Sequence, residues 1–227
     1  MNVLIIKGSP QISGNTHKLA DAFAKDAKEA GSQVNESVLK KLDIKDCLGC
    51  CACQRNGGTC VQKDDMQEVY EKIREADHIV FATPVYFYNY TSLLKRTMDR
   101  MFALDQNLIG KKFSMIVTGA APNECWQSLL KQTFEKFLSC FRNEDNRVGY
   151  FLYGCASDGA DSKLFQKAME AAYEAEKNNK EMAVSFLRKD SIISIRPTAI
   201  CRDAVRLRYG RLLPNVTQEN PLSLPIN

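Results

Sequence analysis

A chain of 227 residues, 44% hydrophobic and 26% charged, has the length and balance of a globular protein with a sizeable buried core. No apolar run is long enough to span a bilayer, and the apolar opening MNVLIIKGSP is too short for a secretory leader, so no membrane partner is expected and the cytoplasm is the expected compartment. Of the net charge of +4, a surplus of three falls after residue 180, where seven Lys or Arg face four Asp or Glu; without an aromatic-interleaved basic stripe, this excludes a strong nucleic-acid signal.

The first apolar run, 3–6, reads as a strand buried on both faces and ends at Lys7-Gly8-Ser9-Pro10. Ser13 or Asn15 offers an N-cap for a helix through Ala30, with Leu19, Ala20, Phe23, Ala24 and Ala27 on one face and Gly31 as its stop. A strand over 34–39 follows, then a cysteine-rich segment, then Asp64-Asp65 as the acidic start of a helix over 66–75. Strands are predicted at 78–82, 113–118 and 148–152, and helices at 92–102, 124–137 and 161–178. Five strands alternating with five helices specify an α/β fold, a doubly wound five-stranded parallel sheet with helices on both faces. Ligands in such sheets sit at the strand C-termini near a reversal of strand order, which makes the loops after strands one, three and four informative. The expected domain is 1–180 with a cysteine-rich loop, 43–65, inserted; 181–227, rich in proline and with an extra strand possible at 192–195, reads as a C-terminal extension.

Gly8-Ser9-Pro10-Gln11-Ile12-Ser13-Gly14-Asn15-Thr16 leaves a strand and opens a helix, where free N–H groups and the helix dipole favour a phosphate. It lacks the Gly-Lys-Ser/Thr ending of a nucleoside-triphosphate loop and is not a dinucleotide fingerprint. From this loop alone, a phosphomonoester site and an ordinary capped turn are equally open. Thr83-Pro84-Val85-Tyr86-Phe87-Tyr88-Asn89-Tyr90 then sets four aromatics beyond a strand C-terminus, where they can flank a planar heterocycle.

With Leu94-Lys95 and Asp99-Arg100, these two loops resemble the flavodoxin-like NAD(P)H-dependent FMN reductase superfamily over roughly the first 180 residues. The resemblance implies that Ser9, Gln11, Ser13, Gly14, Asn15 and Thr16 hold the FMN phosphate. It implies that Pro84, Val85, Tyr86 and Phe87 line the flavin ring, and that Thr118, Gly119 and Ala120 approach it from the other side. The 94–100 segment is expected to pack a helix rather than perform chemistry.

Five of nine cysteines lie in CLGCCACQRNGGTC. Cys47, Cys50 and Cys53 are spaced C-x-x-C-x-x-C, as in ferredoxin-type ligation, and Gly57-Gly58 lets the chain fold back to bring Cys60 as a fourth ligand. Zinc usually takes two separated cysteine pairs, and a redox dithiol needs C-x-x-C at a helix N-terminus after a strand; a metal-free loop is the third rival. Within the superfamily the segment looks like that of the iron–sulfur flavoproteins, which implies a 4Fe-4S cluster on Cys47, Cys50, Cys53 and Cys60, with Cys51 additional. Cys125, Cys140, Cys155 and Cys201 read as apolar filler, and His17 and His78 carry no catalytic pattern.

The expected function is therefore an FMN-dependent oxidoreductase. It would take electrons from NAD(P)H or a ferredoxin-like donor and pass them to flavin, quinone, metal ions or oxygen species. A homodimer or homotetramer would bring one subunit's cysteine loop to another's flavin. The alternatives are an FMN electron carrier without enzymatic activity and a zinc-stabilised interaction module.

Overall fold

A computed structural model describes residues 1–105, 107–121, 128–141, 145–155 and 163–174. The strands are β1 (Asn2–Lys7), β2 (Gln33–Val38), β3 (His78–Pro84), β4 (Lys112–Gly119) and β5 (Arg147–Cys155); the helices are α1 (Asn15–Glu29), α2 (Ala52–Arg55), α3 (Met66–Glu75), α4 (Ser92–Arg100), α5 (Ser128–Ser139) and α6 (Lys163–Glu174). Every strand pairing is parallel and the order is β2-β1-β3-β4-β5. The order reverses between β1 and β3, so crossovers leave these neighbours toward opposite faces and open a crevice above their C-terminal ends. This is the flavodoxin-like doubly wound fold that the alternation of elements leads one to expect.

Side-chain alternation along the strands divides the core in two. Leu4, Ile6, Ile79, Phe81, Phe113, Met115 and Val117 pack against α3, α4 and α5. Val3, Ile5, Val80, Ala82 and Ile116 pack against α1 and α6. Phe81 anchors the first layer, with ring centroids 6.4 Å from Phe113 and 5.9 Å from Phe134. Burying each such side chain contributes on the order of 1.5–3 kcal/mol, so the two layers dominate the stability of the sheet.

Element ends differ from expectation where hydrogen bonding outruns hydrophobic pattern. β3 continues to Pro84 and β4 to Gly119, because their ladder pairs Pro84 with Thr118. Leu39 leaves β2 for a 3-10 turn, Leu39–Lys41, and another such turn, Met101–Leu104, ends α4 after Arg100. Part of the cysteine segment, expected as loop throughout, coils into α2. The remainder of the helices predicted at 124–137 and 161–178, the extension 181–227, Cys125 and Cys201 lie outside the described residues. Among the described residues no helix is long and apolar enough to cross a membrane.

Candidate functional site

The turn after β1 is held open by its surroundings. Gly8 N–H donates to Ala82 O at 2.8 Å, and the Gly8 carbonyl accepts from Thr91 Oγ1 at 2.6 Å. A Cβ at Gly8 would sit 2.8 Å from the Leu94 Cβ, so only glycine lets α4 approach this closely. Ser9 is buried and its Oγ accepts from Gln11 N at 3.2 Å. The N-cap of α1 is Gly14 rather than Ser13 or Asn15, and no side chain caps the helix. The first-turn N–H groups therefore have no intrahelical acceptor and no capping oxygen, which is the donor set an anion needs. Gln11 and Ser13 are exposed and Asn15 half-exposed at the lip of this turn.

Three of the predicted loops converge here. Thr16 Oγ1 and Thr118 Oγ1 are 2.6 Å apart in a buried hydrogen bond, joining the start of α1 to the end of β4. Val85 N–H donates to Thr118 O at 2.8 Å, which brings Pro84 and Val85 beside the Thr118-Gly119-Ala120 segment. Beyond Val85 the backbone doubles back: Tyr86 and Asn89 exchange N–H···O bonds of 3.0 Å, with φ of 49° at Phe87 and 60° at Tyr88. Two successive positive φ angles normally call for Asn-Gly or Gly-Gly, and two bulky aromatics there cost on the order of 1–3 kcal/mol each. The aromatic rings of this turn face outward: Tyr86, Phe87 and Tyr88 are 47%, 101% and 53% exposed. Tyr90, expected at the crevice with them, turns inward instead. Its hydroxyl donates to Leu130 O at 3.2 Å, and burial pushes its pKa up to about 12. A rim of uncapped helix N–H groups, hydroxyls and outward aromatics fits a flavin mononucleotide, whose anionic end and flat ring need those two surfaces.

The cysteine segment forms a pocket, lined by Cys47, Cys50, Cys51, Cys53, Cys60, Arg100 and Phe102 among others. Cys53 and Cys60 are half-buried against the core, while Cys47, Cys50 and Cys51 are exposed. Burial pushes the Cys53 thiol up. Gly57 and Gly58 take φ of 70° and 84° and turn the chain back, and Gly58 N–H closes onto Cys53 O at 2.8 Å. A Cβ at Gly58 would meet Ala103 O at 2.8 Å, so the close approach of this turn to the 3-10 turn after α4 requires glycine. Five sulfurs and no carboxylate on one pocket wall match a soft-metal or iron–sulfur group in donor chemistry. Among the described residues, no three Cys, His, Asp or Glu side chains are drawn together around a metal position.

Sequence reasoning assigned Arg100 to helix packing and Asp64 to a helix start; the structure gives both a larger role. The two side chains, each 1% exposed, form a two-pronged ion pair with Nη1–Oδ2 at 2.7 Å and Nη2–Oδ1 at 3.0 Å. Burial alone would raise the Asp64 pKa, but hydrogen bonds from Arg100 and from the Lys45 amide hold it below the usual carboxylate value. Arg96, one turn earlier, donates to Ile44 O at 2.7 Å, and Arg100 donates to Lys45 O at 2.8 Å. One face of α4 thus pins the leading flank of the cysteine loop. The sequence shows only an Arg-x-x-x-Arg spacing on α4, which places both arginines on one helix face but names no partner for either. Lys7 was missed likewise: buried at the end of β1, its ammonium meets Asp21 of α1 at 2.5 Å and Glu36 of β2 at 2.7 Å. His78 lies inside the sheet, bonded to Ser114 at 2.8 Å. His17 is buried on the first turn of α1.

Residues 1–140 match the family described as NADPH-dependent FMN reductase. An iron–sulfur flavoprotein of Archaeoglobus fulgidus is 39% identical over 126 residues, 54% of this chain and 61% of that protein. An iron–sulfur flavoprotein of Methanocaldococcus jannaschii is 31% identical over 140 residues, 61% of this chain and 72% of its own length. For several of these curated relatives the matched stretch spans about half of their length, 46% to 54%. Among solved structures, an NAD(P)H:quinone oxidoreductase from Methanothermobacter marburgensis has the same fold, with a TM-score of 0.64 at 18% identity over 78% of this chain and 95% of that one. With its sheet order, its two loops and these matches together, the chain belongs to the NADPH-dependent FMN reductase family, in the iron–sulfur flavoprotein branch.

Proposed function

We propose that the protein is an FMN-dependent oxidoreductase that takes electrons from NAD(P)H or a ferredoxin-like carrier and passes them to a small acceptor such as flavin, quinone or an oxygen species. The observation that carries this reading is the convergence of the uncapped start of α1 with the strained Tyr86–Asn89 turn above the β1/β3 reversal. Ser9, Gln11, Ser13, Gly14, Asn15 and Thr16 would hold the phosphate through hydroxyl, amide and backbone N–H donors. Pro84, Val85, Tyr86 and Phe87 would line the ring, and Thr118, Gly119 and Ala120 would close on its other side. Bound FMN supplies both hydride and single-electron transfer, so the chain's task is to bind, orient and shield. The Thr16–Thr118 bond and the Val85–Thr118 bond tie those three segments together.

Cys47, Cys50, Cys53 and Cys60 would hold a 4Fe-4S group, which would supply one-electron transfer. The half-buried Cys53 and Cys60 and the exposed Cys47 and Cys50 would be its four ligands. Its thiolates need a reducing compartment. A homodimer or homotetramer would cover exposed apolar side chains of the kind found at Leu48, Tyr86, Phe87 and Tyr88.

Anaerobic purification followed by an absorption spectrum and flavin, iron, sulfide and zinc analysis tests the reading, with NAD(P)H oxidation measured on the same sample. Flavin, iron and sulfide together with NAD(P)H oxidation are expected. A colourless, zinc-containing protein would contradict it, and a flavin-loaded protein that cycles with a protein donor but oxidises no NAD(P)H and reduces no small acceptor would make it a carrier.

A further inference from the structure

Arg100 has more donors than its ion pair uses. Nη1 serves Asp64 and Lys45 O; Nη2 serves Asp64 and, at 3.5 Å, the Cys60 sulfur. The Nε–H is buried without an acceptor among the described residues. The Asp64 carboxylate and the Lys45 carbonyl take three of the guanidinium's five N–H donors. Arg100 also lines the cysteine pocket and directs an N–H at a sulfur. Asp64 in turn is fixed by the Lys45 and Met66 amides at 2.9 and 3.2 Å, so the guanidinium is held in one orientation.

We infer that Arg100 is the positioning residue of the sulfur site, whose Nη2–H donor to the Cys60 sulfur raises the reduction potential of the iron–sulfur group that Cys47, Cys50, Cys53 and Cys60 would hold; this rests on the sulfur-site reading above. The reduced form of such a group carries one more negative charge, so donors and positive charge beside its sulfur favour reduction. Asp64 offsets that charge from behind, which gives the pair a testable asymmetry. Weakening the arginine lowers the potential, whereas neutralising the aspartate leaves the arginine's charge unopposed and raises it. A pair that only held the loop together would move both variants in the same direction, or neither.

The experiment is anaerobic loading of wild type, Arg100→Lys and Asp64→Asn with ferrous iron and sulfide, followed by EPR-monitored redox titration, with circular dichroism as the check on folding. Lysine keeps the charge but cannot reproduce the planar fork. The expected result is a one-electron equilibrium shifted about threefold to tenfold toward the oxidised form in R100K and toward the reduced form in D64N, a tenfold change being about 59 mV. If wild type takes up no iron and sulfide, the sulfur-site reading fails, and the role of Arg100 with it. If wild type loads and the potentials of the variants are unchanged, or move the same way, Arg100 has no tuning role. Should R100K fail to fold or load, D64N alone decides, an unchanged or lowered potential overturning the assignment. Folded variants that both refuse the group overturn it as well, since tuning presupposes a ligand set that assembles without this pair.

Discussion

The Thr91 hydroxyl donates to the Gly8 carbonyl at 2.6 Å while its oxygen accepts from the Leu94 amide at 3.2 Å. One side chain thus caps α4 and ties it to the turn proposed to take the phosphate. Thr91→Ala removes a cap and strands a buried carbonyl, which together cost about 1–3 kcal/mol in urea unfolding. Thr91→Ser keeps both bonds and should lose less than half of that. Because the lost tie ends at Gly8, T91A should also weaken FMN binding by isothermal titration, and T91S should not.

The Phe87–Tyr88 pair separates ligand binding from stability. Phe87 is fully exposed, so Phe87→Ala should leave the unfolding midpoint within about 0.5 kcal/mol of wild type while FMN affinity falls several-fold. Tyr88→Gly relieves a positive φ and should stabilise the apo-protein by about 1 kcal/mol or more. A Y88G protein less stable than wild type would show that the turn is not strained.

Stability should depend on pH through His17. Burial, with the Lys7 ammonium nearby, lowers its pKa below 6.5 in the folded chain. The unfolded chain then takes up a proton first as pH falls, so stability drops as pH passes downward through 6.5. Urea midpoints at pH 7.5 and 5.5 should differ in wild type, and the difference should shrink in His17→Gln.

Much of the fold was legible because β1, β3 and β4 are apolar on both faces and their flanking helices show one apolar stripe each. The Ser9–Thr16 and Pro84–Phe87 loops were legible because a parallel sheet sends the C-termini of such strands to one rim. The cap of α1 was not read correctly. A capping side chain at Ser13 or Asn15 fits local propensity, but Gly14 takes the cap and leaves the N–H groups open. The Arg100–Asp64 pair could not be seen at all, since a contact across 36 residues between two charged side chains leaves no periodic trace. Tyr90 and Tyr88 are two residues apart in one aromatic run, and only the left-handed turn sends them to opposite sides.

That buried pair should also contribute to the acid limb. Arg100→Met leaves Asp64 without its counter-charge and should cost about 3–5 kcal/mol. Asp64 titrates below its ordinary 3.8 in the folded state, so its contribution is complete above that pH and is lost as pH falls through the lower folded value. The difference in stability between wild type and R100M, measured by urea unfolding, should therefore narrow as pH falls below 3.8.

The most direct measurement is titration of FMN into the flavin-stripped, folded protein, followed by quenching of flavin fluorescence. The account predicts saturable uptake of one flavin per chain, weakened by Phe87→Ala without loss of fold. A folded protein that leaves the fluorescence of added FMN unquenched would contradict it.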